Sequence, residues 1–353
     1  MLAERTLTAH RGAIKNPANR FEKIVLEPDA DWNLDEDVLP RTQFLVDHSQ
    51  TAIAYNDSPD VGFNASLNPY RGCEHGCIYC YARPTHEYLG FSAGLDFESK
   101  IMVKQNAPEL LRAELSAKNW RPQVIVMSGV TDCYQPVERK LKLTRRCLEV
   151  LLDFRNPVAL ITKNLLVTRD LDVLAELAKF ACASVCLSMT TLDNDLRQVM
   201  EPRTSPPQAR LAAIRKLAAA KIPVSVNVAP VIPGLTDHEM PAILKAAREA
   251  GALAAGFTVV RLPRANAPLF ETWLKAHFPD RAEKVLNRIK TLHGGKLYDA
   301  QWGKRMTGEG IFAEQIAQMF DVARRKAGFG DDFPELSAAA FRRFERNQRA
   351  LFD

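Results

Sequence analysis

Between residues 63 and 263 short apolar runs alternate with amphipathic segments, and this alternation constrains the fold more than any other feature of the chain. The runs VIVMSG, PVALITK, ASVCLSMT, PVSVNVAP and AGFTVVRLP end at Gly129, Lys163, Thr190, Pro230 and Pro263. Their β-branched content and their Gly or Pro boundaries mark strands. Helical patterns separate them at 136–153, 168–180, 204–220 and 236–250. Thr236 and Glu239, directly after the Pro233-Gly234 turn, have the spacing of a capping box. A first strand is expected just before Cys73, with a helix from about Ile78. A helix from about Asn106 to Lys118 feeds the Val124 strand and completes six strand–helix repeats.

Six repeated units define an α/β fold and leave two architectures open, a doubly wound sheet and an incomplete barrel. In both, polar residues at the carboxyl ends of the strands are the candidates for function. Residues 1–62 form an N-terminal extension with an acidic stretch at Glu27–Asp37. Residues 264–353 form a helical C-terminal extension, broken by a glycine-rich segment at 294–310 and ending in a short amphipathic basic tail from Phe333.

Composition narrows the class. Hydrophobic residues at 46% and charged residues at 25% exclude disorder across the whole chain. No run of 18 apolar residues offers a membrane span, and the N-terminus lacks the apolar core of a secretory signal. The net charge of +5 tolerates a nucleic-acid partner without requiring one. The basic residues are scattered, with Arg324-Arg325-Lys326 as the one tight run, and the plainer reading is helices with solvated faces.

Seven cysteines do not suggest a disulfide framework at this length. Three of them, Cys73, Cys77 and Cys80, lie in a C-x3-C-x2-C arrangement, which fits one metal or cluster site in a reducing cytoplasm. Thiolates are soft ligands suited to iron–sulfur clusters or zinc. Three ligands on a cubane leave one iron open for a small molecule, as a catalytic cluster needs. Zinc prefers a fourth protein ligand, for which His75 is the nearest candidate, in an unusual place inside the loop. Three free thiols would be exposed for no purpose. Cys182, Cys186 and Cys147 read as small buried hydrophobes.

The motif Cys73-Glu74-His75-Gly76-Cys77-Ile78-Tyr79-Cys80 resembles that of the radical S-adenosylmethionine (SAM) enzymes. Over NPYRGCEHGCIYCYARPTHEYLG and VAPVIPGLTD the chain is similar to a bacterial subgroup grouped with spore photoproduct lyase-like or "DNA repair photolyase" proteins. The resemblance implies a partial (β/α)6 barrel over about 63–263, with N- and C-terminal extensions. It implies that Cys73, Cys77 and Cys80 hold a [4Fe-4S] cluster whose fourth iron is chelated by SAM. Reduction then cleaves SAM to methionine and a 5′-deoxyadenosyl radical, which abstracts hydrogen from substrate. A flavodoxin or ferredoxin-type electron donor is implied as partner.

Site residues follow from the same resemblance combined with strand parity. In PVSVNVAP the valines face the helices and Ser225, Asn227 and Ala229 the interior, so Asn227 is a candidate contact to SAM or substrate. Ser188 ends the preceding strand where the family places polar residues for SAM. Arg203 has the fork that suits a carboxylate. Ser128, Gly129 and Asp132 stand where many relatives carry a Gly-Gly-Glu-like segment for the SAM amino group, and the match is partial. Asp132 has a rival role as a helix cap. Tyr79 is placed near the adenine, and Asn68, Arg71 and Tyr81 flank the cluster loop. Lys163, Arg261 and Arg264 sit at strand ends.

In spore photoproduct lyase a cysteine of the comparable loop returns hydrogen to the substrate radical. Aligning the terminal aspartate of that loop with Asp132 puts Gly129 at the donor position. Cys133 follows four residues later, and Cys133 with Tyr134 is the candidate for a different hydrogen relay. The expected function is a radical SAM enzyme of unassigned substrate. The alternatives are spore photoproduct lyase-like DNA repair or nucleic-acid modification, and a non-catalytic iron–sulfur redox or sensor protein.

Overall fold

The computed structural model describes residues 11–22 and 41–343. The acidic stretch at Glu27–Asp37 and the end of the basic tail, residues 344–353, therefore lie outside the described residues. Ten strands follow in chain order: β1 (Gln43–Val46), β2 (Ile53–Tyr55), β3 (Ala65–Leu67), β4 (Tyr70–Arg71), β5 (Lys100–Val103), β6 (Ile125–Met127), β7 (Val158–Thr162), β8 (Ala183–Met189), β9 (Val224–Val231) and β10 (Ala254–Val259).

Seven strands form one sheet in the order β10-β9-β8-β7-β6-β3-β2. The six from β3 to β10 run parallel, each beside its neighbour in chain order, and β2 adds an antiparallel edge. Among the described residues no pairing joins the edges β2 and β10, so the sheet does not close. The crossovers carry helices that pack on the sheet, among them Ala107–Ser116, Leu143–Phe154, Leu171–Ala178, Pro207–Ala219 and Met240–Glu249. The sequential order gathers all six carboxyl ends, and the loops leaving them, on one side. A smaller sheet in the order β1-β5-β4 stands beside this one.

The alternation that marks strands also sets their faces. In β9, Val224, Val226 and Val228 are buried, while Ser225, Asn227 and Ala229 are half-buried on the other side. In the helix Leu143–Phe154 the buried set is Leu143, Thr144, Cys147, Leu148, Val150, Leu151 and Phe154, one continuous stripe at helical spacing. Cys147 is thus a core residue, as its pattern suggests. Among the described residues no helix is long and apolar enough to cross a membrane.

Three local expectations are corrected. The strand before Cys73 is β4, which belongs to the smaller sheet, and the first parallel strand is β3 further upstream. No helix starts at Ile78: turns continue to a 3-10 helix at Arg83–Leu89. The backbone there is engaged elsewhere, with the Gly76 and Cys77 carbonyls accepting from the Arg83 guanidinium and Ile78 N–H donating to Met200 O at 3.1 Å. The capping box is also unmade. Thr236 Oγ1 accepts from Ile232 N at 2.9 Å, and the Glu239 carboxylate accepts from Thr191 Oγ1 at 2.5 Å and Leu192 N at 2.7 Å. Thr236 is spent closing the turn that begins at Ile232, and Glu239 is captured by the segment after β8.

The single helix expected over 136–153 is two. Lys142 takes a left-handed conformation (φ 52°) between Glu138–Leu141 and Leu143–Phe154. The cause is Glu138, whose buried carboxylate accepts from Thr144 N at 3.1 Å and so satisfies an amide in the first turn of the second helix. Tyr70 and Arg169 hold the same carboxylate.

The open side of the sheet is bridged at the mouth. The loop after β2 and the glycine-rich loop at 294–310 meet where β10 ends. Asp60 accepts from Gly303 N at 2.6 Å and from Arg305 Nε, Arg305 also donates to Ser58 Oγ, and Val259 N donates to Met306 O at 2.9 Å. No residue of 294–310 is buried, so these polar contacts, rather than packing, hold the loop. Asp60→Asn is therefore expected to speed amide exchange across 296–310 with little change in the melting temperature of the whole chain. Exchange rates unchanged there, measured by mass spectrometry, would contradict this account of the clasp.

Candidate active site

The cysteine loop is built around one buried ion pair. Arg83 and Glu98 are both fully buried, with Nη2 to Oε1 at 2.5 Å. Arg83 Nε donates to Cys77 O at 3.0 Å, Nη2 to Gly76 O at 3.2 Å, and Nη1 to Ala93 O at 3.2 Å and Gly94 O at 3.0 Å. A guanidinium has five N–H donors, and all are used. Glu98 in turn accepts from Gly12 N at 2.9 Å and Ala13 N at 2.8 Å. Gly76 (φ 68°) passes so close that a Cβ there would lie 2.6 Å from Glu98 Oε2, so only glycine fits the turn.

A second set of contacts ties this loop to the one after β6. Glu74 is buried; its N–H donates to Gln135 Oε1 at 2.9 Å, and its carboxylate accepts from Val137 N at 2.6 Å and Arg203 Nη2 at 3.1 Å. His75 is buried with Nδ1 3.3 Å from Asp132 Oδ2 and Nε2 3.2 Å from Asn164 Nδ2. Asp132 also accepts from Thr162 Oγ1, Tyr134 N and Lys163 N, each at 2.8 Å. Burial alone would raise the Asp132 carboxyl, but His75 and these donors hold it below its ordinary value. The histidine weighed as a zinc ligand is thus a positioning residue, and Asp132 ties its loop to His75 and to the end of β7 rather than capping the helix that starts at Glu138.

A third anchor is Glu201, which is fully buried. It accepts from Tyr79 Oη and Arg210 Nη2, and from Thr190 Oγ1 at 2.7 Å. Burial would raise this carboxyl, but Arg210 first, then Lys163, Tyr79 and Thr190, hold it down at about 2. With its hydroxyl tethered, Tyr79 keeps its ring beside the cysteines, and Lys163 Nζ stands 5.8 Å from the ring centroid.

These anchors frame a cavity of about 610 Å³ at the carboxyl ends of the parallel strands. Cys73, Cys77 and Cys80 all line it, as do Tyr79, Ser128, Asp132, Ser188 and Asn227. Burial pushes all three thiols up from their ordinary value. Among the described residues no three His, Cys, Asp or Glu side chains surround one point as a single metal ion requires. Ser128, at the end of β6, has φ 73°, a left-handed conformation rare for a residue with a side chain, and its Oγ accepts from Cys133 N at 2.8 Å. The Gly129 carbonyl accepts from Tyr81 Oη at 2.6 Å.

Three expected site residues do not line the cavity. Cys133 is fully buried in the main core and Tyr134 donates from within it to Asp170 Oδ2 at 3.1 Å, so neither faces the space where a relay would act. Arg203 points to Glu74 through Nη2 at 3.1 Å, and its Nη1 donates to Thr42 Oγ1 at 3.5 Å. In their place the extensions contribute residues that the repeat pattern did not reveal: Arg20 and Val61 from the N-terminal side, and Tyr298, Arg305 and Met306 from the glycine-rich loop. The Arg83, Glu98 and Glu201 anchors were likewise missed. Nothing in a single arginine six residues after Cys77 distinguishes a buried clamp from a solvated side chain.

The fold is α/β, with a cavity at the carboxyl ends of its parallel strands. Residues 67–247, half the chain, match the radical SAM superfamily, and the chain belongs to that superfamily. It is 37% identical over 245 residues to uncharacterized proteins of Mycobacterium bovis and Mycobacterium tuberculosis, a match spanning 68% of this chain and 71% of theirs. An uncharacterized protein of Methanocaldococcus jannaschii is 32% identical over 185 residues, 52% of this chain and 66% of that one. Among solved structures, spore photoproduct lyase complexed with dinucleoside spore photoproduct superposes with a TM-score of 0.54 over 80% of this chain and 78% of that one. The identity is 16%, so this likeness is one of fold.

Two outcomes follow from the anchors. Arg83→Met leaves Glu98 buried without its cation and frees four loop carbonyls, so a loss of about 3–5 kcal/mol of unfolding free energy is expected in urea titrations. A loss below about 1 kcal/mol would remove Arg83 from its central place. Glu201 supplies stability that is complete above the ordinary carboxyl value of 4.5 and is lost as pH falls from there toward about 2. Glu201→Gln is expected to be less stable at neutral pH and to show a flatter stability curve through that window. Parallel curves for the two proteins would count against the depressed carboxyl.

Proposed function

We propose that this chain is a radical SAM enzyme in which Cys73, Cys77 and Cys80 hold a [4Fe-4S] cluster and the adjoining cavity receives SAM and a substrate. One observation carries the reading: three thiols, those of buried Cys73 and Cys77 and half-buried Cys80, line one cavity inside the segment that matches the superfamily. The donor set fits the group. Thiolates are the usual ligands of such clusters, and a body of several atoms takes them from around a cavity, whereas a single zinc needs them within about 2.3 Å of one point. When bound and reduced, the cluster supplies the electron that cleaves SAM to methionine and a 5′-deoxyadenosyl radical able to abstract hydrogen.

The protein's own part is placement. Arg83, Glu98 and Gly76 fix the path of the cysteine loop, and His75 with Asp132 fixes the β6 loop against it. Ser188 and Asn227 offer hydrogen-bonding side chains from β8 and β9, and the tethered Tyr79 ring offers a flat apolar wall. Lys163 supplies a cation near the cysteines. Enclosure by the clasp loops keeps water from a reactive intermediate. A flavodoxin or ferredoxin-type donor is the proposed reductant. A purely redox or sensor role would need no cavity of this size.

For the substrate, nucleic-acid modification is the reading that one observation favours. The rim pairs exposed aromatics with arginines: Arg261 lies 4.1 Å from the Tyr81 ring centroid and Arg20 lies 5.1 Å from that of Tyr88. Such pairs offer stacking faces and positive charge together, the combination used on unpaired bases.

The test is anaerobic reconstitution. About four irons and four sulfides per chain are expected, with little intact cluster after Cys73→Ala, Cys77→Ala or Cys80→Ala. Dithionite should then yield 5′-deoxyadenosine from SAM, detected by chromatography, in the wild type alone. Full cluster occupancy in Cys77→Ala would overturn the assignment.

A further inference from the structure

The charges lining the cavity do not balance. Arg20, Lys163, Arg261, Arg264 and Arg305 face it, against the single carboxylate of Asp132. Asp132 is already occupied by His75 and three further donors. Arg20 is answered by Glu87 at 3.3 Å and Arg305 by Asp60, both outside the cavity lining. Lys163, Arg261 and Arg264 make no ion pair among the described residues. Lys163 stands at the cysteine end, beside Tyr79. The two arginines flank Leu262 and Pro263 where the chain leaves β10, and Arg261 lies over the ring of Tyr81.

We infer that Arg261 and Arg264 form a binding site for a phosphate-class anion carried by the substrate. Arg261 is pre-positioned: its guanidinium lies 4.1 Å from the Tyr81 ring centroid, and Tyr81 is itself fixed by its hydrogen bond of 2.6 Å to Gly129 O. Arg264 is exposed and held with φ 54°, a left-handed conformation that a non-glycine residue adopts only where its surroundings impose it. The buried Leu262 between them roots the turn in the apolar cluster under the Asn266–His277 helix. Two guanidiniums three residues apart on a rooted turn present planar forks that match phosphate oxygens. Unpaired cations facing a partly enclosed cavity concentrate field into it and raise the local concentration of an anion.

This inference rests on the proposed enzyme reading for the statement that the ligand is a substrate, but the binding itself needs no cluster. The phosphate has two sources, a nucleic-acid backbone or a phosphorylated small molecule. The site is tested with the full chain and two fluorescent probes, a short single-stranded oligothymidylate and thymidine 5′-monophosphate, with unlabelled thymidine as the neutral competitor. Anisotropy is measured over a series of salt concentrations. Arg261→Gln/Arg264→Gln is expected to weaken the probe that binds by roughly tenfold or more. For the oligonucleotide the same variant should lower the salt dependence by about one or two phosphate contacts. Arg261→Lys/Arg264→Lys, which keeps the charge and loses the fork, should fall between, and Lys275→Gln/Lys290→Gln, on remote helices, should match the wild type.

Tighter and more salt-sensitive binding of the oligonucleotide than of the mononucleotide identifies the polymer backbone as the source. Comparable binding of the two identifies a phosphorylated small molecule. No binding of either probe by the wild type at low salt would overturn the inference, as would equal affinities for wild type and the double glutamine variant. Thymidine competing as well as its monophosphate would do the same. Iron content and 5′-deoxyadenosine yield, measured on the same preparations, report separately on the enzyme reading, so failure of either is recognisable alone.

Discussion

The Arg83 guanidinium is the point on which the cysteine loop depends. An apolar filling of the same space would hold the loop by shape alone, and the carbonyls of Gly76, Cys77, Ala93 and Gly94 would remain buried without donors. Unpaired buried carbonyls are costly, and each here is bonded. The charge this brings into the interior is neutralised by Glu98, and Glu98 extends the connection to the amides of Gly12 and Ala13. One side chain thereby joins the loop that carries the thiols, the segment after it and a stretch of the N-terminal extension. The extension is part of the site's construction even though no repeat pattern runs through it.

The same device recurs. Arg210 with Glu201, and Arg169 with Glu138 and Asp170, are arginine–carboxylate groupings whose acids are fully buried. Burying charges this way is seldom more stable than apolar packing of equal volume, but removing one partner is severe because the other is left uncompensated. Directional bonds fix orientation in a way that interdigitated methyl groups do not. Around the cavity that matters: Glu201 orients Tyr79 through its hydroxyl, Asp132 orients His75, and Glu138, first in its own helix, accepts from the first turn of the next. We read the concentration of these groups at the strand carboxyl ends as the means by which flexible loops are given defined positions.

The repeat architecture was legible because it rests on periodicity. Apolar alternation in β7 and β9 and the helical stripes between the strands depend on local sequence, and the structure follows them. So does the gathering of Cys73, Cys77, Cys80, Tyr79, Ser128, Asp132, Ser188 and Asn227 on one cavity, since residues at strand carboxyl ends share a side of the sheet whatever the strand order. What failed was decided by long-range partners. Thr236 and Glu239 have capping spacing, but Ile232 and the Thr191–Leu192 segment claimed them. Arg203 has the fork for a carboxylate, and the carboxylate it met was Glu74. Cys133 follows β6 by few residues, yet the turn at Ser128 directs it inward, and a left-handed serine leaves no mark in a sequence pattern.

The open edge of the sheet connects these points. A closed barrel would restrict access to one end, whereas here the gap between β2 and β10 is spanned by a clasp that contains no buried residue. The clasp pairs Arg305 with Asp60, which removes one cation from the cavity's balance and leaves Arg261 and Arg264 on the adjoining turn without an ion pair of their own among the described residues. Substrate selection by charge and access to the cavity are therefore set by neighbouring residues on one side of the mouth. The cysteines and Lys163 lie deeper, behind anchors that are fully buried. Such a division lets the rim differ between relatives that share the inner loop, because rim residues are held by few contacts and the inner ones by many.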